Sequence, residues 1–463
     1  MLAFAMIDFT KGSITKQLMQ FSAPMLIGSV FQQLYSLTDM IIVGRFISGE
    51  ALAAVGVTLN IVMFVLATII GLTTGASVVI SQFFGAKQYK KLTRTVSVSV
   101  FTLLLISLFL SLLGIIFTPQ LLSLLNTTED IFADAVIYMR ICMAGVVFPI
   151  MYNMYTAYMR SLGDSRRPLY FLIVSIILNV GFNLFFVLVM EMGVAGVAIG
   201  TIISQMISAL LCFLYANKKM PLLKVTRLIF DPELFGLILK YGTPAAIQLS
   251  LVSFAQLSIT RLINSFGSSA MAGITAASRI DQFAMMPIST LSMAMSTLVA
   301  QNMGAGMEDR ARRGLRSGMI SMLILSFFMS LLLIVFRFPL LSLFLNPDSP
   351  NTQEILLIGS NYLNIIVVFY FLFAFLFAFN GFFRGAGDAV IAMVFPVFSL
   401  SIRASSAYAL VNLAGMGPEA LAWSIPIGWG LSSFASFLYY KKGLWKGKVA
   451  VKKLSVGEAE CGE

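Results

Sequence analysis

Twelve stretches of this chain, each long enough to cross a bilayer as a helix, are almost free of charged residues. They run over residues 16–44, 52–83, 95–118, 131–159, 168–190, 193–216, 237–266, 269–302, 317–338, 355–383, 387–413 and 418–440. A helix rises about 1.5 Å per residue, so roughly 20 apolar residues cover the hydrocarbon core. Lipid offers no partner to backbone N–H and C=O groups, which leaves helices and closed barrels as the spanning structures. Continuous apolar runs of this length, without strict alternation, select helices. The sequence therefore predicts an all-α polytopic membrane protein with twelve transmembrane helices. Charged residues are only 11% of the 463-residue chain, against roughly 25% in soluble domains, so no soluble domain of useful size fits between the spans.

Basic residues gather at every second connection: Lys87 to Arg94, Arg160 to Arg167, Lys218 to Arg227, Arg310 to Arg316, and the tail from Lys441 to Lys453. Basic loops stay on the cytoplasmic side, which predicts both termini inside a cytoplasmic (inner) membrane. Arg45 and Arg337 are exceptions near outer ends. The same rule accounts for the net charge of +11, so no nucleic-acid partner is expected. The first ten residues lack a basic lead and a small-residue cleavage pattern, so no cleaved signal peptide is expected.

The chain repeats itself. FSAP at Phe21 returns as YGTP at Tyr241, SQFFGA at Ser81 as AQNMGA at Ala300, RSLGDS at Arg160 as RGAGDA at Arg384, and MGVAGVA at Met192 as MGPEALA at Met416, with spacings of 219 to 224 residues. Six spans in each half bring both halves into and out of the membrane on the same side, so the repeats are parallel, a pattern of secondary transporters. The expected organisation is two pseudo-symmetric six-helix bundles: an N-lobe over 1–217, a linker over 218–235, a C-lobe over 236–443 and a tail over 444–463. The RSLGDS and RGAGDA turns read as tight connections that glycine allows to bend and an Arg/Asp pair fixes.

Against this apolar background, one buried acid stands out. Gln32, Tyr35, Ser36 and Asp39 fall at i, i+3, i+4 and i+7 of the first span, forming one polar stripe. An aspartate within a membrane helix costs about 2.5 to 3.5 kcal/mol and is normally kept for an ion or proton pathway. Asp39 lies about 9 Å from the end of its span, Asn183 about 12 Å from Glu191, and Thr201 about 12 Å into the sixth span; Asn179 shares a face with Asn183. Acid, amides and hydroxyl at one depth suit a sodium ion, and the same carboxylate serves a proton. Gln32, Tyr35, Ser36 and Asn153 are candidates for the wall of a substrate cavity.

The second half carries Arg261, Arg279, Asp281 and Arg403 within its spans, with Asp281 and Arg403 at one estimated depth, about 18 Å from the outer side, where a pair would satisfy both. With no histidine in the chain, any proton coupling must use carboxylates. Cys142, Cys212 and Cys461 are isolated and support neither a disulfide frame nor a zinc site. No G-x-x-x-x-G-K-[ST], G-x-S-x-G or H-E-x-x-H motif occurs, so neither an ATP-driven pump nor an enzyme is indicated, and no cofactor is expected beyond the coupling ion.

Several of these residues together give a family resemblance: P-x8-Q-L-Y-x3-D from Pro24 to Asp39, Gln82 with Gly85 and its echo Gln301 with Gly304, RSLGDS, RGAGDA, and ASRID from Ala277 to Asp281. The chain resembles the multidrug and toxic compound extrusion (MATE) family from Lys16 to Tyr440. The resemblance implies two six-helix bundles and export of organic cations in exchange for Na+ or H+. Asp39 matches the first-helix acid of the DinF-like branch, and Asn153, Asn179 and Thr201 match that branch's polar cluster. Asn183 stands where some members have a second acid, Val252 where another branch has a glutamate, and Ser405 where proline is expected. A monomeric multidrug antiporter is the expectation, with export of a lipid-linked or anionic substrate as the alternative.

Overall fold

The computed structural model describes residues 6–345 and 351–451, and within them not the side chains of Asn60, Ser253, Phe254, Gln256, Leu257 and Ser258. Cys461 and the end of the basic tail lie outside the described residues. Among these residues the chain is helical throughout, in chain order α1 (Ile14–Phe46), α2 (Gly49–Gly85), α3 (Tyr89–Leu124), α4 (Glu129–Gly145), α5 (Val147–Ser161), α6 (Arg166–Leu184), α7 (Gly193–Lys219), α8 (Pro232–Asn264), α9 (Ser268–Gly304), α10 (Glu308–Ser342), α11 (Thr352–Val368), α12 (Tyr370–Ala386), α13 (Ala389–Asn412) and α14 (Glu419–Lys441). A π-helical turn, Phe185–Val189, extends α6.

Ten of these helices are long and apolar enough to span a membrane, and two bent pairs bring the total to twelve. The expected fourth and tenth spans are each broken. α4 and α5 meet at 44°, and α11 and α12 at 54°. The first break follows from Gly145 and from Pro149, whose missing N–H and ring disrupt the preceding turn. Phe369, at the second break, has neither glycine nor proline beside it.

Two compact units form. One comprises Met1–Asp8 and Gln20–Ala246, the other Phe9–Met19 and Ile247–Glu463. In the first unit α2 and the start of α8 touch backbone to backbone: a Cβ added at Gly71 would lie 2.3 Å from Ala246 Cα, and one at Gly75 2.3 Å from Gly242 N. Small residues drive such approaches in lipid, where the hydrophobic effect gives helices no reason to associate. In the second unit Gly381 and Gly385 of α12 meet the Ser292 and Ser296 carbonyls of α9 in the same way, each at 2.4 Å from a built Cβ.

The segment before α1 is held by the second unit. Phe9, fully buried, donates its N–H to Gln301 Oε1 (3.1 Å) and accepts from Asn302 Nδ2 (3.1 Å) and Arg310 Nε (2.8 Å). Arg310 Nη2 also donates to the carbonyls of Lys11 and Gly12. Gln301, one of the repeated motif residues, thus satisfies backbone ahead of a helix, where polar groups lack intrahelical partners. Trp445, just past α14, is also buried and lies 4.8 Å, centroid to centroid, from Phe382.

The RSLGDS and RGAGDA turns use glycine as expected, with φ of +86° at Gly163 and +89° at Gly387. Gly163 N–H donates to the Arg160 carbonyl and Asp164 N–H to that of Met159, and Gly387 and Asp388 repeat this on Arg384 and Phe383. Among the described residues the expected Arg/Asp pair does not form in either. Asp164 Oδ2 takes Arg167 Nη1 at 2.6 Å, and Asp388 Oδ2 takes the Tyr439 hydroxyl at 2.6 Å. The reason is direction: each arginine ends the helix before the turn, whereas Asp164 faces the first turn of α6 and Asp388 faces Tyr439 of α14.

Gly163→Ala is expected to lower the melting temperature of the purified protein, because left-handed geometry costs a non-glycine residue about 1 to 2 kcal/mol and the new Cβ would sit 2.1 Å from the Ile7 carbonyl oxygen. Gly181→Ala, with nothing within 4 Å of its Cβ, is the control and should not lower it.

Candidate functional site

The polar stripe of α1 meets α6 and α7 inside the first unit. Asn183 Nδ2 donates to Asp39 Oδ1 at 2.7 Å, while Asn179 Nδ2 donates to Thr201 Oγ1 at 3.1 Å and to the Tyr35 hydroxyl at 3.3 Å. Both asparagines are fully buried, and their Oδ1 atoms have no hydrogen-bond partner among the described residues. No lysine or arginine lies within ion-pair distance of Asp39 among the described residues. The carboxylate is thus held by a neutral amide, with no cation among the described residues to balance it.

Local sequence explains how α6 and α7 come so close. Gly200 carries no side chain where a Cβ would stand 2.2 Å from Asn183 Oδ1, and Gly196 likewise faces Phe186, at 3.0 Å from its Cβ. Directly after Leu184 the helix widens into the π turn, closed by Met190 N–H on the Phe185 carbonyl (3.2 Å). Such turns insert a residue and re-aim the side chains around them.

Asp39 lines a cavity of about 140 Å³ with Tyr35, Ser36, Thr201 and Gln205 on its polar side and Met40, Val55, Leu59, Met63, Tyr138, Cys142 and Ile202 on its apolar side. One acid among polarizable and apolar groups suits an amphipathic cation or, at the oxygens alone, a small hard ion. Tyr138 and Gln205 were not singled out from the sequence, and Cys142 was noted only as an isolated cysteine. Gly200 carried a signal, since Gly193, Gly196 and Gly200 mark one small-residue face of α7.

Asp39, Asn179, Asn183, Thr201 and Tyr35 are therefore brought together, with Ser36 beside them on the cavity wall. Gln32 and Asn153 are not in this cavity. They line a second, smaller one with Tyr152, Thr156 and Arg160. In the second unit the expected Asp281–Arg403 ion pair is absent among the described residues. Asp281 Oδ1 instead accepts the Tyr370 hydroxyl at 2.6 Å, and Arg403 stays within electrostatic reach only. Arg261 and Arg279 are exposed. The four residues thus do not form a paired charge network.

Comparison with known proteins identifies the family and the fold. The MatE family model matches residues 24–185 and again residues 244–409, one match for each repeat. The chain belongs to the MatE family. A relative in Bacillus subtilis (strain 168), described as probable multidrug resistance protein YpnP, is 31% identical over 95% of this MatE chain and 97% of its own length. The multidrug export protein MepA of Staphylococcus saprophyticus is 24% identical over 93% of this chain and 94% of its own. The MatE fold superposes on an outward-facing multidrug resistance MATE family transporter of the MOP superfamily with a TM-score of 0.88, at 23% identity, covering 98% of this chain and 100% of that one. The family is one of membrane transporters, with small-molecule substrates and a lipid bilayer around them.

Gly200→Ala should act like Asn183→Ala: transport falls while the protein still purifies as a folded monodisperse species. A hydrogen bond to a charged group is worth about 1.5 to 3 kcal/mol, so each variant should lower the transport rate by about ten-fold or more. A transport assay on the purified variants checks this, and unaltered transport in Gly200→Ala would show that the glycine does not position Asn183.

Proposed function

We propose that this chain is an ion-coupled exporter of amphipathic, drug-like organic cations, with Asp39 as the carboxylate that ion and drug occupy in turn. The observation that carries this reading is the balance of charge at Asp39: a carboxylate held by Asn183 at the edge of a largely apolar cavity, with no basic side chain among the described residues to neutralise it. A charge in that setting is costly, and an arriving cation lowers the cost. The relatives named for multidrug resistance and export point the same way.

The donor set fits either coupling ion. The Asp39 carboxylate and the Thr201 and Tyr35 hydroxyls on the cavity wall are hard oxygen ligands of the kind Na+ takes, and a proton needs the carboxylate alone. Exchange requires that the ion favour one arrangement of the transporter over the other, since a ligand of equal affinity for both drives nothing. The protein would reside in the cytoplasmic membrane with both termini inside, as its basic connections direct.

The deciding experiment is ethidium transport in everted membrane vesicles with a Na+ gradient and a pH gradient imposed separately. Dye should accumulate under one of them, and Asp39→Asn should reduce that ion-driven flux by about ten-fold or more, the scale expected when a charged partner is lost. An unchanged ion dependence in Asp39→Asn would sink the assignment. Dye that follows neither gradient, with folded protein present, would favour the rival reading of an anionic or lipid-linked substrate, which draws on the exposed Arg261 and Arg279.

A further inference from the structure

The small cavity that holds Gln32 and Asn153 is a site of the opposite character. Its wall, from α1, α5 and α6 of the first unit, includes Gln32, Tyr152, Asn153, Thr156, Ser165 and Arg160, and its volume is about 60 Å³. Room for a water needs about 10 to 15 Å³ on this measure, so the space takes a small polyatomic ion and excludes a drug-sized molecule. Among the described residues Arg160 is its one charged residue, and no acid lines it.

The backbone carbonyls around Arg160 are already engaged. The carbonyls that end α5 are taken by the turn, those of Tyr158 and Met159 by Leu162 N–H, that of Met159 also by Asp164 N–H, and that of Arg160 itself by Gly163 N–H. The Ser161 hydroxyl takes the Ala157 carbonyl, Thr156 that of Asn153, Asn153 Nδ2 that of Pro149, and Tyr152 that of Pro168. Asp164 is occupied by Arg167 and by the N–H groups of Arg166 and Arg167. Among the described residues the Arg160 guanidinium has no hydrogen-bond or ion-pair partner.

The repeat supplies an internal control. Arg384 stands where Arg160 does, and its Nη2 donates to Asn380 Oδ1 at 2.8 Å. Four residues before Arg160 the chain has Thr156, whose hydroxyl is turned to the Asn153 carbonyl at 2.9 Å. One repeat therefore satisfies its arginine internally, and the other aims it into a polar cavity. An uncompensated, partly buried charge is expensive, and a guanidinium fork matches an oxyanion in two parallel hydrogen bonds.

We propose that this cavity is an oxyanion site that takes a phosphate group on Arg160, with the Gln32 amide and the Ser165 hydroxyl as further donors. The phosphate is either free or the headgroup of a phosphate-monoester lipid, since both present the same oxygens. The site is separate from Asp39 and does not rest on the drug-export reading.

The test uses the full-length protein, purified in detergent and stripped of lipid, with radiolabelled inorganic phosphate in equilibrium dialysis. Saturable binding is expected, weakened about ten-fold or more in Arg160→Gln, as loss of a charged donor implies, and retained in Arg166→Gln, which removes an exposed neighbouring charge. Arg160→Lys, keeping the charge but losing the fork, should bind more weakly than wild type and serves if Arg160→Gln does not fold. Protein in phosphatidylcholine nanodiscs with and without phosphatidic acid separates the sources: displacement of phosphate by phosphatidic acid, or its Arg160-dependent retention where free phosphate does not bind, assigns the site to a headgroup. If folded wild-type protein binds neither, or binds both equally well in Arg160→Gln, the guanidinium is merely hydrated and the proposal falls.

Discussion

A carboxylate on a helix that crosses hydrocarbon sets the terms for the first unit. Asp39 needs a donor close by, and Asn183 supplies it from α6. That contact requires Asn183 to be packed tightly from behind, which Gly200 allows because it has no Cβ to meet the amide oxygen. α7 can then place Thr201 against Asn179, and Asn179 reaches back to Tyr35, one turn along α1 from the acid. Three helices are thus tied by polar contacts in a medium where apolar side chains alone give little preference for one packing over another. The π turn after Leu184 lies where α6 leaves this arrangement.

The two repeats show which parts of such a design are common and which are free to diverge. The backbone devices recur: a left-handed glycine ends the helix at Gly163 and at Gly387, and the following N–H groups cap equivalent carbonyls. The side-chain partners do not. Asp164 takes an arginine where Asp388 takes a tyrosine, and Arg384 has Asn380 where Arg160 has Thr156. Backbone geometry is shared because both halves must make the same turns between spans, whereas each side chain answers to its local neighbours.

This division also explains what could be read from the sequence. The spans were legible because lipid imposes a minimum apolar length and the repeat confirms the count. The bend between α4 and α5 carried a mark in Gly145 and Pro149, whereas the bend at Phe369 lies in an unbroken apolar run and has none. Asp39, Tyr35, Asn179, Asn183 and Thr201 could be grouped because helical period and rise fix both face and depth. Depth alone failed elsewhere. Gln32 lies on Asp39's stripe but seven residues away, about 10 Å along the axis, and so faces another cavity. Asp281 and Arg403 were matched by depth without any test of direction, and a tyrosine hydroxyl from the start of α12 took the place given to the arginine. That hydroxyl had no periodic signal of its own.

The acids of the first unit differ in one respect that bears on mechanism. Asp164 has Arg167, and Asp231 has Arg94 at 2.7 Å; both lie at helix ends beside basic connections, and their charge is balanced within the chain. Asp39 lies within a span with only neutral hydrogen-bonding partners among the described residues. A built-in counter-ion would make the site more comfortable at rest, but it would also compete with any cation that enters. Holding the carboxylate with an amide keeps its direction fixed and its charge available. On the proposed reading, the cost of that charge in an apolar wall becomes part of the affinity for an arriving cation. Arg160, at the other cavity of this unit, is the same arrangement with the sign reversed.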